Sequence, residues 1–298
     1  MINEEKTAKL KLFTASLIWG SSFFIVKNTV ELLSPNYLLA LRFTIAFFII
    51  LIIYHKKLKR AELKILRIAA VAGFFLFSAY SIQTIGIQYT TPGKNAFLSA
   101  SYCVWVPFIF MFLDRKRPGI FNLLASTLCI AGIGLISLDE GFGKINIGDV
   151  LTLISGLFFA LHIAVLSGKG SKFESSIFTL FQFMFCSIFA WITFLIFELK
   201  NFSFMTNLNA KEIFISVPYL GVACTAATIF LQTSGQKHTN PSTASIILSL
   251  EAVFGAIFSA LVYGERFSVK TFIGFILIFS AIILSEIKTD RTTYQKSI

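Results

Sequence analysis

Residues 83–92 read QTIGIQYTTP, and residues 232–241 read QTSGQKHTNP. Set one above the other, Gln83, Thr84, Gly86, Thr90 and Pro92 fall on Gln232, Thr233, Gly235, Thr239 and Pro241, five identities in ten positions at an offset of 149 residues. Chance alone gives less than one. An offset of half the chain is the mark of an internal duplication. Each copy joins two apolar runs: 68–83 and 96–113 around the first, 213–231 and 245–263 around the second. Outward from these joints, charged or Pro/Gly-marked breaks delimit six further runs, at 12–26, 37–54, 120–138, 150–166, 177–197 and 272–285. The sum is ten, five to each copy.

Composition says what surrounds them. Of 298 residues 56% are hydrophobic and 14% charged, 35 are Phe, and the mean hydropathy is +0.78. Soluble domains carry about 45–50% apolar and about 25% charged residues, so disorder, a disulfide scaffold and an ordinary water-soluble enzyme are excluded. A bilayer core of about 30 Å takes roughly 20 helical residues, the scale of these runs. The fold expected is an all-α polytopic membrane protein of ten transmembrane helices. The charged start (Glu4, Glu5, Lys6, Lys9, Lys11) precedes the first run with no A-x-A-like cleavage site, so that span is expected to be retained. Cys103, Cys129, Cys186 and Cys224 all lie in apolar runs without CxxC spacing and read as packing residues; no metal or cofactor is expected. The net charge of +11 sits in short loops between apolar runs, which suits lipid headgroups and topology rather than nucleic acid.

Across ten spans, one side collects 18 Lys and Arg, the other collects 7, and Arg42 lies within a span. The positive-inside rule then places both termini in the cytoplasm, with the plasma (inner) membrane of a prokaryote the expected location. Because five is odd, the copies, at 12–138 and 148–287, must enter the membrane upside down relative to each other. Inverted five-helix repeats commonly build alternating-access carriers with a site near the midplane. The stretch 139–149, with its Gly residues, reads as the linker between them.

Short motifs fall at matching places in this plan: Trp19-Gly20-Ser21 in the first span, Pro35 and Arg42-Phe43 in the second, Gly148-Asp149 opening the sixth, and Leu250-Glu251-Ala252-Val253-Phe254 followed by Gly264-Glu265 in the ninth. With them the chain, from about residue 10 to 287, resembles the EamA family of the drug/metabolite transporter superfamily. The resemblance implies a ten-helix carrier of small metabolites, often an exporter of amino acids or related amphipathic compounds, with a central cavity between halves. Two departures stand out: Ala252 where the family often has Pro, and Asp114-Arg115 where a duplicate of Gly264-Glu265 is expected.

Within the spans a few polar residues draw attention. Glu251 is the only acid well inside a run, and charge at mid-bilayer is costly. It suits a proton carrier or a counter-ion for a substrate ammonium, or else a structural ion pair with Arg42, which could instead snorkel to a membrane face. His162 lies near mid-depth, as a titrating group if it meets water and as a packing residue if not. Gln83 and Gln232 are matched by the repeat and suit hydrogen bonding to a polar solute or between helices. Asn95, Ser99 and Tyr102 share one helical face, as do Ser245, Ser249, Ala252 and Ala256; both stripes are candidate cavity walls, close packing being the alternative. Trp19 and Tyr80 offer flat apolar surface with a polar tip. Asn201-Phe202-Ser203 matches a glycosylation acceptor, meaningful only in a secretory pathway. Gly132 and Gly134 suit internal packing or a homodimer contact.

The expected function is therefore a secondary transporter, an exporter by family resemblance, with an importer or a proton-coupled antiporter as alternatives. A membrane enzyme is disfavoured: there is no HExxH and no Walker loop, and only 3 His. A channel is disfavoured too, since no ring of charge or carbonyl-rich filter is evident. The expected partners are a small-molecule substrate, the bilayer and, for coupling, protons.

Overall fold

The computed structural model describes residues 2–60, 62–114, 120–137, 146–201, 210–239 and 241–284, and every regular element among them is helical. In chain order the apolar helices are α1 (Glu4–Thr29), α2 (Pro35–Leu58), α3 (Leu63–Ile87), α4 (Pro92–Leu113), α5 (Leu124–Ile136), α6 (Ile147–Lys172), α7 (Ser175–Glu198), α8 (Glu212–Gln236), α9 (Thr243–Tyr263) and α10 (Val269–Leu284). Eight of them are long and apolar enough to cross a membrane, while α5 and α10 are shorter. Most helices outrun the apolar stretch that announced them, as α1 does by eight residues at its start. Hydropathy marks only the lipid-buried part; the backbone ladder continues into the headgroup region. Residues 139–145 of the expected linker and 202–203 of the glycosylation acceptor lie outside the described residues.

A helix entering lipid must satisfy its first N–H groups locally. Pro35 and Pro92, each at the first turn, remove one of those donors and pre-set φ. For α2 the remainder go to Glu198, whose carboxylate accepts from the Asn36 N–H at 3.1 Å, the Tyr37 N–H at 3.2 Å and the Asn36 side chain at 2.7 Å. At the start of α4 the Thr91 hydroxyl accepts from the Lys94 N–H at 3.4 Å, and Glu265 from the Gly93 N–H at 2.9 Å. Asn146 caps α6 by accepting from the Gly148 N–H at 2.7 Å.

α7 and α9 end in π-helical turns, Phe194–Glu198 and Ser259–Tyr263, and two helices depart from regularity in their interiors. α4 breaks at Ala100-Ser101, where a continuous span was expected. The Ser99 hydroxyl there donates back to the carbonyls of Asn95 (2.7 Å) and Ala96 (3.1 Å), competing with the ladder. α8 contains Pro218 and widens one turn later into a π-helical turn, Val222–Ala227, with the Thr225 hydroxyl donating to the Leu220 carbonyl at 2.7 Å. Such turns leave backbone groups available for tertiary partners.

The helices pair as α1 with α8 and α9, α6 with α3 and α4, α2 with α7, α4 with α9, and α5 with α10. Small residues permit the closest crossing: a Cβ on Gly20 would stand 2.3 Å from Phe254 Cβ, and one on Gly255 2.7 Å from Ala96 Cβ. Gly132 is likewise internal, against Gly274 of α10, whereas Gly134 has nothing near it.

Hydrogen bonds sort the connections onto two faces. On one, Lys27 Nζ donates to the Ile87 and Gln88 carbonyls (2.9 and 3.0 Å), the Asn146 side chain to the Tyr89 carbonyl (2.7 Å), and the Thr90 hydroxyl to Asp149 (2.6 Å). The α3–α4 connection is thus held by the end of α1, the start of α6 and, through Glu265, the α9–α10 turn. On the other face Lys57 pairs with Glu174, and Lys237 Nζ donates to the Phe173 carbonyl at 3.1 Å, fixing the α8–α9 connection.

Around an apolar core, burial departs from that of a water-soluble protein in two ways. Arg42, Asn95, Asp149, His162, Gln182 and Glu251 are buried, whereas Phe112, Phe214 and Leu261 are nearly four-fifths exposed. A surface that is apolar over its helices with charge inside is what lipid demands, and the chain is an integral membrane protein.

Candidate functional site

Six helices line a central pocket whose empty space, open solvent included, is about 430 Å³. α1 supplies Trp19, Ser22 and Phe23; α3 supplies Leu76, Tyr80 and Gln83; α4 supplies Tyr102. From the second half, α6 gives Phe159 and Ile163, α8 gives Ile229 and Gln232, and α9 gives Leu248 and Glu251. Three pairs on this wall, Tyr80 with Ile229, Gln83 with Gln232 and Tyr102 with Glu251, are separated by the same 149 residues as the sequence repeat.

The π-helical turn of α8 positions two of the expected side chains. Trp19 donates its indole N–H to the Cys224 carbonyl at 3.0 Å, which holds the ring at the cavity edge. Arg42 does not snorkel. Its side chain is 2% exposed, its Nε donates to the Thr225 hydroxyl at 3.2 Å, and its guanidinium carbon lies 5.1 Å from the centroid of the Tyr80 ring. A hydroxyl dipole and an aromatic face each ease the burial of a cation, and neither cancels its charge. Arg42 borders a second pocket of about 250 Å³ that shares Ser22, Phe23, Tyr80 and Gln83 with the first. Asn95 lines this second pocket; its amide donates to the Thr152 hydroxyl at 2.7 Å while its carbonyl oxygen is buried without a hydrogen-bond partner.

Glu251 is 7% exposed and the Tyr102 hydroxyl is its polar neighbour. It forms no ion pair with Arg42; the pairs among the described residues are Lys9–Glu5 and Lys57–Glu174, both at the protein's rim. The Gln232 side-chain oxygen, on the same wall, is buried without a hydrogen-bond partner.

Four residues expected at the cavity lie elsewhere. Ser99 spends its hydroxyl on its own helix, and its carbonyl is 3.1 Å from the point a Cβ on Gly156 of α6 would occupy. Ser245 and Ser249 are fully buried away from the wall, Ser249 donating to the Ile246 carbonyl at 2.7 Å. On α9 the small-residue stripe serves helix crossing, and the cavity face is Leu248 with Glu251, one turn apart. His162 is buried between α6 and α7, 3.1 Å from the Gln182 side-chain oxygen, and takes the packing role. Conversely, Ser22, Phe23, Leu76, Phe159, Ile163, Ile229 and Leu248 were not singled out. Ile229 and Leu248 had a signal, their offsets of 149 residues from Tyr80 and Ser99; the other apolar residues look like any lipid-facing position.

Among the described residues no three His, Cys, Asp or Glu side chains converge as metal ligands would. The wall combines aromatic surface, two amides and the carboxylate of Glu251, with Arg42 on the adjoining pocket.

Known proteins resemble the whole chain. An "Uncharacterized transporter" from Archaeoglobus fulgidus is 29% identical over 281 residues, covering 94% of this chain and 86% of its own. "Uncharacterized transporter YetK" of Bacillus subtilis is 24% identical over 306 residues, covering 98% and 90%. A crystal structure shares the fold with a TM-score of 0.69 at 15% identity, over 94% of this chain and 96% of its own. The pattern of one family matches twice, over residues 7–138 and again over 146–287, and by that match the chain belongs to the EamA-like transporter family.

Proposed function

We propose that the protein is a secondary carrier that exports a small amphipathic metabolite, of the size of an amino acid, by alternating access to the central cavity. The observation that carries this reading is the cavity itself: a largely apolar hollow that holds one carboxylate and two amides, adjoins the pocket of Arg42, and is walled by three helices from each half. Several features support two inverted five-helix repeats around it. The helix contacts exchange onto themselves when α1–α5 are swapped with α6–α10: α1·α8 with α6·α3, α1·α9 with α6·α4. The duplicated connections lie on opposite faces, and the wall pairs keep the repeat offset. A pseudo-twofold axis through the cavity lets one half rock against the other about a fixed site.

On the Lys/Arg count, both termini are cytoplasmic and the face bearing Lys27 and Glu265 is the outer one. The clasp around residues 88–91 then closes the outer side, since the smaller pocket reaches Ile87 directly beneath it. Opening outward requires those bonds to part. No nucleotide site is evident, so a gradient of the solute or of an ion supplies the energy. A proton-coupled antiporter is the second reading, favoured by Glu251, a carboxylate in the cavity with no basic partner.

The test is solute counterflow in proteoliposomes, over a panel of amino acids, nucleosides, sugars and amphipathic amines. Saturable counterflow of one class supports a carrier; flux without saturation or counterflow contradicts it. If Glu251→Gln leaves the pH dependence of that flux unchanged, proton coupling through Glu251 is wrong.

A further inference from the structure

We infer that the start of α3 and the end of α6 form a binding site for an anionic phospholipid, with Lys64, Arg67, Lys169 and Lys172 around its phosphate and Val71 and Phe74 along an acyl chain. The site lies on the face that the Lys/Arg count makes cytoplasmic, away from the central cavity, and is independent of what the protein carries.

Lys64, Arg67, Val71 and Phe74 follow one another at helical spacing and share one side of α3. All four are exposed, Val71 by 45% and Phe74 by 48%. Seven residues separate Arg67 from Phe74, about 10 Å at roughly 1.5 Å per residue, so one stripe is cationic at headgroup level and apolar at acyl depth. Phe74 meets Phe189 of α7 edge-on, ring centroids 6.0 Å apart, and Phe185 stacks on Phe189 at 6.4 Å, which carries the apolar surface onto the next helix.

Packing brings further cations to the same end of α3. Ile65 and Ala69 bury against Leu166, Ile177 and Phe178, and the short turn Lys169–Lys172 that closes α6 rests on α3. Lys169 and Lys172 are exposed, and no carboxylate pairs with any of the four cations among the described residues. Of the acids on these connections, Glu174 is taken by Lys57, which leaves Glu62. Lys64 and Arg67 stand in the opening turns of α3, where a cation runs against the helix dipole, so they do not serve the helix itself. The basic residues of α1 on this face are different: Lys9 pairs with Glu5, and Lys11 shares a pocket with Glu4. A free inorganic anion uses the cations and ignores the apolar stripe; a neutral lipid does the reverse. Anionic phospholipid matches both. Because two of the cations belong to the first half and two to the second, a lipid seated there ties the halves together at that face.

The test uses the full-length protein, purified in detergent and stripped of lipid, with binding read by native mass spectrometry and by thermal shift. The probes are dioleoylphosphatidylglycerol, dioleoylphosphatidylcholine with the same acyl chains, and glycerol phosphate, which has the charge without the chains. The anionic lipid is expected to bind at least about tenfold more tightly than the neutral one, the preference shrinking as added salt screens the cations, and glycerol phosphate at equal concentration is expected to shift nothing. Each cation beside an anionic headgroup is worth about fivefold in affinity. Lys64→Gln/Arg67→Gln and Lys169→Gln/Lys172→Gln should therefore each remove most of the preference, whereas Lys9→Gln/Lys11→Gln, with the same loss of charge, should keep it. Equal binding of the two lipids overturns the inference. So does a preference that the α1 pair removes as fully as either site pair, or a response to glycerol phosphate as large as the lipid's, which would mean an anion site open to solvent. If a site pair fails to fold, the three probes and the salt series on the wild-type protein still decide.

Discussion

At the scale of single residues, Thr225 and Trp19 show how one π-helical turn sets the site. Thr225→Val removes the hydroxyl that accepts from Arg42 Nε. It should destabilise the protein by about 1.5–3 kcal/mol, the worth of a hydrogen bond to a charged group, measured as unfolding in detergent; Thr225→Ser should be near neutral. Trp19→Phe keeps most of the ring but loses the bond to the Cys224 carbonyl, at a cost of about 0.5–1.5 kcal/mol by the same measurement. His162 gives the opposite kind of test. Because it is packed against Gln182 and off the cavity wall, His162→Asn should lower stability while the pH profile of transport keeps its midpoint; a shifted midpoint would return His162 to the mechanism. The identities of most polar cavity residues were legible from sequence, since a Trp, Arg, Gln or Glu inside an apolar run stands out against its neighbours. What each one touches was not: the Arg42 and Trp19 partners lie on α8, about 180 and 205 residues away in sequence.

At the scale of helices, the apolar runs were readable and their ends were not: Thr91 and Asn146 cap α4 and α6 locally, whereas the start of α2 is satisfied by Glu198, about 160 residues away. The inward faces were obscure because lipid and protein interior are equally apolar, so periodicity distinguishes them poorly; on α9 Ser245 and Ser249 are buried while Leu248 and Glu251 line the pocket. Gly20 tests the packing rule. Gly20→Val should drive α1 from α9 and abolish a monodisperse elution profile, whereas Gly134→Val, with open space around it, should elute as wild type. The clasp on the α3–α4 connection makes a separate prediction. Lys27→Met removes two bonds to the end of α3, and a cysteine at Thr84, in a background without the four native cysteines, should then react faster with a membrane-impermeant maleimide from that face. An unchanged rate would mean that the clasp does not govern access.

At the scale of the whole molecule, the cavity takes its wall from both halves, and the same offset that relates two ten-residue stretches relates the side chains facing each other across it. On the proposed pseudo-twofold axis the site would be equally distant from both membrane faces, so the proposed rocking would expose it to either without moving its residues far. The direct measurement is side-specific labelling of a single cysteine at Ser22, which lines both pockets, in reconstituted vesicles. Alternating access predicts reaction with impermeant reagent added on either side, with reagent on one side competing against reagent on the other and transported solute protecting from both. Reaction from one side alone, under every condition of solute and gradient, would contradict it.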